Sequence, residues 1–166
     1  VQGLTTQTGG TYNAEIPTSH LLTGGFTMTG GAFNGSTGNI NIDGPVTLSA
    51  GTFTAPSGIL ALSGNFNKTG GTFNHNNGSV VLSGNVPFQE VTAGGLIWNN
   101  FTVIDTLNNS SNATIRFKDN QQFVGAMNFD GLDANDLVLI RSSVAGTART
   151  LTGTGSSTLV GDFLNI

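Results

Sequence analysis

The chain has 166 residues, enough for one continuous core, yet only 8% of them are charged, so solvation falls to Thr, Ser, Asn and Gly. A formal net charge of −4 argues against a nucleic-acid partner, which needs a basic patch to neutralise phosphates. There is no cysteine for a disulfide or thiolate metal site, no apolar run near the ~18 residues that cross a bilayer, and no three-residue G-X-Y period despite 25 glycines.

The first residue is Val1 rather than Met, which suggests a processed export or an excised fragment. Residues 1–22 read as an irregular opening coil. Thr8-Gly9-Gly10-Thr11-Tyr12-Asn13 echoes Thr29-Gly30-Gly31-Ala32-Phe33-Asn34 at a spacing of 21, and Pro17 interrupts the coil after Asn13.

Residues 23–84 carry the organising pattern, with one unit repeated at a spacing of 20. Phe33, Phe53 and Phe73 fall in register, as do Ile40, Leu60 and Val80, and then Ile42, Leu62 and Leu82. Glycines form three further columns: Gly31/Gly51/Gly71, Gly38/Gly58/Gly78 and Gly44/Gly64/Gly84. Such self-similarity marks a repeat architecture. Within one unit Val46-Thr47-Leu48-Ser49, Thr52-Phe53-Thr54 and Ile59-Leu60-Ala61-Leu62 alternate between apolar and polar, which predicts three half-buried strands separated by Gly and Pro turns. A sandwich does not need the same residue type at the same place in consecutive repeats. A solenoid does, because each residue lies ~4.8 Å above its counterpart one lap earlier. The expected fold is therefore an all-β parallel β-solenoid (β-helix) of about eight coils, ~20 residues and three short strands per coil. In one column Met28 and Leu48 are followed by Lys68, which implies either a bulge or a snorkelling lysine stem.

Residues 85–166 read as degenerate coils with loop insertions in the same single domain, 1–166. Val86 and Phe88 are matched to Phe66 and Lys68, Trp98 to Phe73, and Phe101 and Val103 to Val80 and Leu82. Later coils run through Ile115-Arg116-Phe117 with Phe123, through Met127 and Phe129 with Leu137 and Leu139, and through Leu151 with Leu159 and Phe163. The last stretch, Thr158 to Ile166, is an apolar strand whose edge invites pairing. The partners expected from it are copies of the chain end to end, or neighbouring coils of a longer chain.

The unit Thr69-Gly-Gly-Thr-Phe-Asn-His-Asn-Asn-Gly-Ser-Val-Val-Leu-Ser-Gly84 resembles the Gly/Asn/Thr-rich repeats of large bacterial surface or secreted proteins, and Asp136 to Thr147 is similar to a recurrent coil of the same proteins. Both are broadly like filamentous-haemagglutinin-type β-helices. The resemblance implies an extracellular or cell-surface location and adhesion or filament formation, and it carries over no catalytic residue.

Candidate sites are few. His20 and His75 stand alone in loop-like contexts without a metal or catalytic motif. Asp130, Asp133 and Asp136 are candidates for calcium, although Asp also initiates ordinary turns. Arg116, Lys118 and Asp119 form the one grouping comparable to a catalytic set. Asn34, Asn67, Asn77, Asn100, Asn108, Asn109 and Asn112 head Asn-X-Ser/Thr acceptors for glycosylation, a pattern that chance also produces in such a chain. Trp98 or Tyr12 would be the stacking platform of a carbohydrate-binding or carbohydrate-cleaving module, whereas an aromatic in this pattern is more often core. Thr27/Thr47, Thr52/Thr54 and Thr72 suggest an ice-binding rank, broken where Asn67 follows Thr47. The reading is a non-enzymatic extracellular structural protein without cofactor: a filament subunit or adhesin segment that assembles through stacked coil ends, with surface glycans as further partners. Carbohydrate binding or cleavage and ice binding are the alternatives.

Overall fold

The computed structural model describes residues 3–14, 19–83, 88–106, 112–162 and the backbone of 164–165. Pro17, Gly84, Val86, Asn108, Asn109 and Phe163, each given a place from the sequence, lie outside them.

The first lap is β1 (Thr5–Gln7), β2 (Thr11–Asn13) and β3 (His20–Thr23). The next two laps are β4 (Phe26–Asn34) with β5 (Ile40–Asp43), and β6 (Val46–Thr54) with β7 (Ile59–Leu62). In these, the two strands expected on either side of the glycine corner run together as one nine-residue strand. A register shift after Met28 takes up the bend, and Gly31 and Gly51 adopt φ of 80° and 83° there. The fourth lap separates them again as β8 (Phe66–Lys68), β9 (Thr72–Asn74) and β10 (Ser79–Leu82). Three longer laps follow: β11 (Gln89–Thr92), β12 (Ile97–Trp98) and β13 (Asn100–Ile104); β14 (Ala113–Phe117), β15 (Gln121–Phe123) and β16 (Ala126–Asp130); and β17 (Val138–Ser142), β18 (Leu151–Gly153) and β19 (Thr158–Asp162). Strand β20 (Leu164–Asn165) pairs back onto β17.

All ladders between these strands are parallel. The first face stacks β1-β4-β6-β8-β11-β14-β17-β20, and the second stacks the seven strands from β3 to β19. The third carries β2, the second halves of β4 and β6, and β9, and then a separate ladder β12-β15-β18. The parallel β-solenoid is thus the fold, and the seven strands of the second face span about six turns, rather than the eight coils expected. From β3 to β19 it rises about 30 Å at the inter-strand spacing.

The core is the stack of inward columns. Phe33 and Phe53 are 4.5 Å apart between centroids and 2° from parallel, and Phe53 and Phe73 are 5.5 Å apart at 6°. Tyr12 begins the same stack, 5.1 Å from Phe33. Ile40/Leu60/Val80 and Ile42/Leu62/Leu82 pair in register and are buried. Phe101 and Val103 continue them at the expected spacing of 21. Lys68 stays in register with Leu48, so the strand does not bulge there; the lysine is half-buried instead. That is how a long aliphatic stem behaves at the rim of a core.

Two matches in the second half are corrected. Phe66 is covered by Val91, 25 residues on, and Phe88 points outward and is exposed. Six residues separate β10 from β11 where three separate β7 from β8, so a count of 20 falls short of β11. On β17, Val138 and Ile140 face the core while Leu137 and Leu139 are half-buried on the outer side. A run of four apolar residues has no alternation to reveal its phase; the Asp133–Asp136 turn before it sets the phase.

Candidate functional site

The outward side of the first face is where polar chemistry gathers. In the regular laps it shows Thr6, Thr27, Thr47 and Asn67 in one column, and Thr92 extends it. On β11 the alternation that buries Gln89 and Val91 turns Phe88, Glu90 and Thr92 outward. Glu90 pairs in register with Arg116 on β14, and Arg116 with Arg141 on β17. The Arg116 guanidinium lies 3.9 Å from the centre of the Phe88 ring. Lys118, just past β14, reaches back to Glu90 with Nζ 2.8 Å from Oε1. Beside this ion pair is a groove of about 230 Å³ whose lining includes Glu90 and Lys118 themselves with Thr47, Asn65, Asn67 and Thr92.

Asp119 does not join this group. Its Oδ1 and Oδ2 accept the N–H groups of Ala93 and Gly94 at 3.0 and 2.7 Å, so it holds the neighbouring lap's corner. The grouping Arg116, Lys118 and Asp119 therefore resolves into two outward cations and one corner-fixing acid.

No family model, curated protein or solved structure matches this chain.

The calcium candidates form a turn. Asp133 Oδ1 accepts the backbone N–H of Asn135 at 2.6 Å and of Asp136 at 3.2 Å, and Asp130 stacks in register on Asp162 instead of converging with them. Among the described residues no three His, Asp or Glu side chains are grouped to hold a metal. His20 is not in a loop: it heads β3, half-buried, in register with Ile40. His75 is in a turn, where Nδ1 accepts the Asn77 N–H at 3.0 Å.

Trp98 is 1% exposed, so it is core and cannot serve as a platform. It packs edge-on against Phe66 and Phe73, and its indole N–H donates to the buried Gln121 Oε1 at 2.9 Å. Its strand pairs onward to Phe123, so it extends the aromatic stack without pairing directly on β9. Tyr12 is 40% exposed but stacked on Phe33. The Thr ranks fall on two faces: Thr27 and Thr47 lie before the glycine corner, and Thr52, Thr54 and Thr72 lie after it.

The acceptor asparagines separate by their hydrogen bonds. Asn34 Nδ2 donates to Asn13, Asn100 bridges Ser79 and Ala126, and Asn112 Oδ1 accepts from Leu137 N–H. Asn67 is half-buried on the groove. Asn77 is exposed, in a turn where it and Asn76 take φ of 56° and 49°.

Sequence reasoning missed the buried amides. Gln89 Nε2 donates to the carbonyls of Leu62 and Gly64, and Gln121 Nε2 to Asp119. Both occupy inward positions where an apolar residue is the default. The one available signal was a polar residue at the inward phase of an alternating strand.

Proposed function

We propose that the chain is an extracellular structural segment, part of a filament or surface adhesin, whose working part is the rigid stack of laps. The observation that carries this reading is the unsatisfied edge of β19. Leu159 sits in the inward column over Met127, yet it is 55% exposed because no described strand covers it, and Val160 beside it is 53% exposed. An exposed, in-register parallel edge templates a further strand. A next lap, from a second copy or from adjoining chain, buries both residues by continuing the same columns. The Gly/Asn/Thr-rich units and their resemblance to filamentous-haemagglutinin-type repeats favour the same assignment, and so does a surface with so little charge.

The experiment is sedimentation velocity over a hundredfold concentration range with negative-stain imaging, on the wild type and on Leu159→Lys. Concentration-dependent rods that shorten or disappear in the variant are expected. A wild type that stays monomeric throughout removes the filament form, and an unchanged variant removes β19 as the joining edge.

A further inference from the structure

We propose that the last lap holds a binding cavity for an aliphatic carboxylate, built where an inward column of the core stops short. Phe26, Val46, Phe66, Val91 and Phe117 lie one over another in that column, all buried, and Ser142 takes the next place on β17. Ser142 keeps the register but adds little apolar volume. Its Oγ is engaged in its own corner, donating to the Val144 carbonyl at 3.0 Å and accepting the Val144 N–H at 3.2 Å. A cavity of about 390 Å³ lies here, with Phe117, Ile140 and Leu151 as its apolar lining. It falls within the ~300–1,000 Å³ typical of small-molecule sites.

Arg149 gives the cavity a charge. It sits on the eight-residue corner between β17 and β18, next to the point where that corner is pinned to the lap beneath. There the Thr150 N–H donates to Asn120 Oδ1 at 3.0 Å, and the Thr150 carbonyl accepts the Gln121 N–H at 2.8 Å. The Arg149 Nε is buried without a hydrogen-bond partner, and Arg149 forms no ion pair among the described residues. An unmet buried donor is costly, and an acceptor brought by a ligand removes that cost. Arg141 also lines the cavity but is engaged elsewhere, with Nη1 donating to the Ile140 carbonyl at 2.9 Å. One free guanidinium beside an apolar lining fits a ligand with one anionic head and a hydrocarbon tail. The planar fork of Arg suits a carboxylate, which it can meet with two parallel hydrogen bonds. A cavity of ~150 Å³ holds a benzene ring, so this one has room for a chain of about eight to ten carbons. The first lap of a second copy is the competing occupant, but its β1 and β2 carry no acid to meet Arg149. The cavity is made by one copy of the chain, so the proposal stands apart from the assembly reading.

The test is isothermal titration calorimetry of the full chain with octanoate, with octanol and acetate as comparisons, on the wild type and on Leu159→Lys. One octanoate per chain is expected in both, with octanol about tenfold weaker or more and acetate silent. Arg149→Gln should weaken octanoate about tenfold or more, whereas Arg116→Gln, which removes the same charge outside the cavity, leaves it within about twofold. Ser142→Leu extends the Phe117 column into the cavity and should abolish binding while raising Tm. If Ser142→Leu melts below the wild type, Ala148→Trp, at an exposed position of the lining, carries the same comparison. Absence of octanoate binding, octanol binding as tight, binding lost in Leu159→Lys, indifference to Arg149→Gln, or full binding by the filled variant overturns the proposal. Rods that Ala148→Trp shortens, in a wild type that takes up no octanoate, would give the cavity to a next lap instead.

Discussion

Replacing Phe53 by Ala tests whether like stacked over like holds the rod together. Phe53 is 1% exposed and touches three rings: Phe33 and Phe73 in parallel stacks above and below, and Phe26 edge-on at 5.7 Å. Removing a buried phenyl costs about 3–5 kcal/mol, and each aromatic pair adds about 0.5–1.5 beyond its buried area. Three pairs place Phe53→Ala near the top of that range, at about 4–5 kcal/mol. For a chain of this size that is a fall in Tm of roughly 8–20 °C. Tyr12 gives the internal comparison, because it belongs to the same stack but is 40% exposed and has one ring partner. Tyr12→Ala should therefore cost about 1–1.5 kcal/mol. Phe53→Leu, which keeps most of the volume and loses the stack, should fall between them at about 1.5–2 kcal/mol. Calorimetry and urea titration of the three variants give the ordering. Equal costs for Phe53→Ala and Tyr12→Ala, or a Phe53→Ala cost below about 2 kcal/mol, would refute the inner stack as the main source of stability.

Two further substitutions probe the corners. Gly51→Ala should cost about 2–3 kcal/mol: φ is 83°, and the added Cβ would stand 2.6 Å from the Gly31 carbonyl oxygen. Gly95→Ala shares the positive φ, at 76°, but meets nothing within 4 Å, so thermal melts should show about 1 kcal/mol; equal costs would mean that conformation alone matters. Gln121→Leu leaves the Trp98 N–H without its acceptor in the buried core, and should cost about 2–3 kcal/mol with a shifted emission from the chain's single tryptophan. A neutral Gln121→Leu would show that packing, not the amide, holds that corner.

The regular half of the fold was open to reading because nothing is inserted between Phe26 and Ser83. There residue number alone tells which side chain lies over which, and the Phe, Ile/Leu/Val and Gly columns follow. Beyond Ser83 the step on the first face becomes 25 or 26 residues: Phe66 to Val91, Val91 to Phe117, and Ile115 to Ile140. A fixed period then misplaces Phe88, whereas local alternation still finds Phe101 and Val103. The polar grouping on the outward side of the first face was half visible. Arg116 and Lys118 stand out as rare charges, but their neighbours Glu90 and Arg141 are 26 and 25 residues from Arg116 in sequence, and only the ladder register brings them together. Trp98 was ambiguous for another reason: an aromatic at an inward phase and one at an outward phase look alike when the preceding corner is irregular.

The corners explain why charge appears where the laps lengthen. The first-to-third-face corner is three residues between Lys68 and Thr72 but eight between Ser142 and Leu151. Loop-closure entropy grows only with the logarithm of length, so that extension costs under about 1 kcal/mol. The ladders on either side keep their register: Arg116 over Arg141 and Met127 over Leu159 pair without a shift. Length is therefore tolerated at the corners and not within the strands, because an extra residue inside a strand would turn every later side chain to the opposite face. Outward positions beside a long corner are freest to vary, since the inward columns already fix the strand. In this chain four of the five Lys and Arg, Arg116, Lys118, Arg141 and Arg149, fall within residues 116–149, and the uninterrupted laps before Ser83 hold one, Lys68. The scaffold and the surface it carries are in this way separable. A variant that neutralises Arg116 and Lys118 should keep the rod, and one that breaks the Phe33/Phe53/Phe73 stack should weaken it.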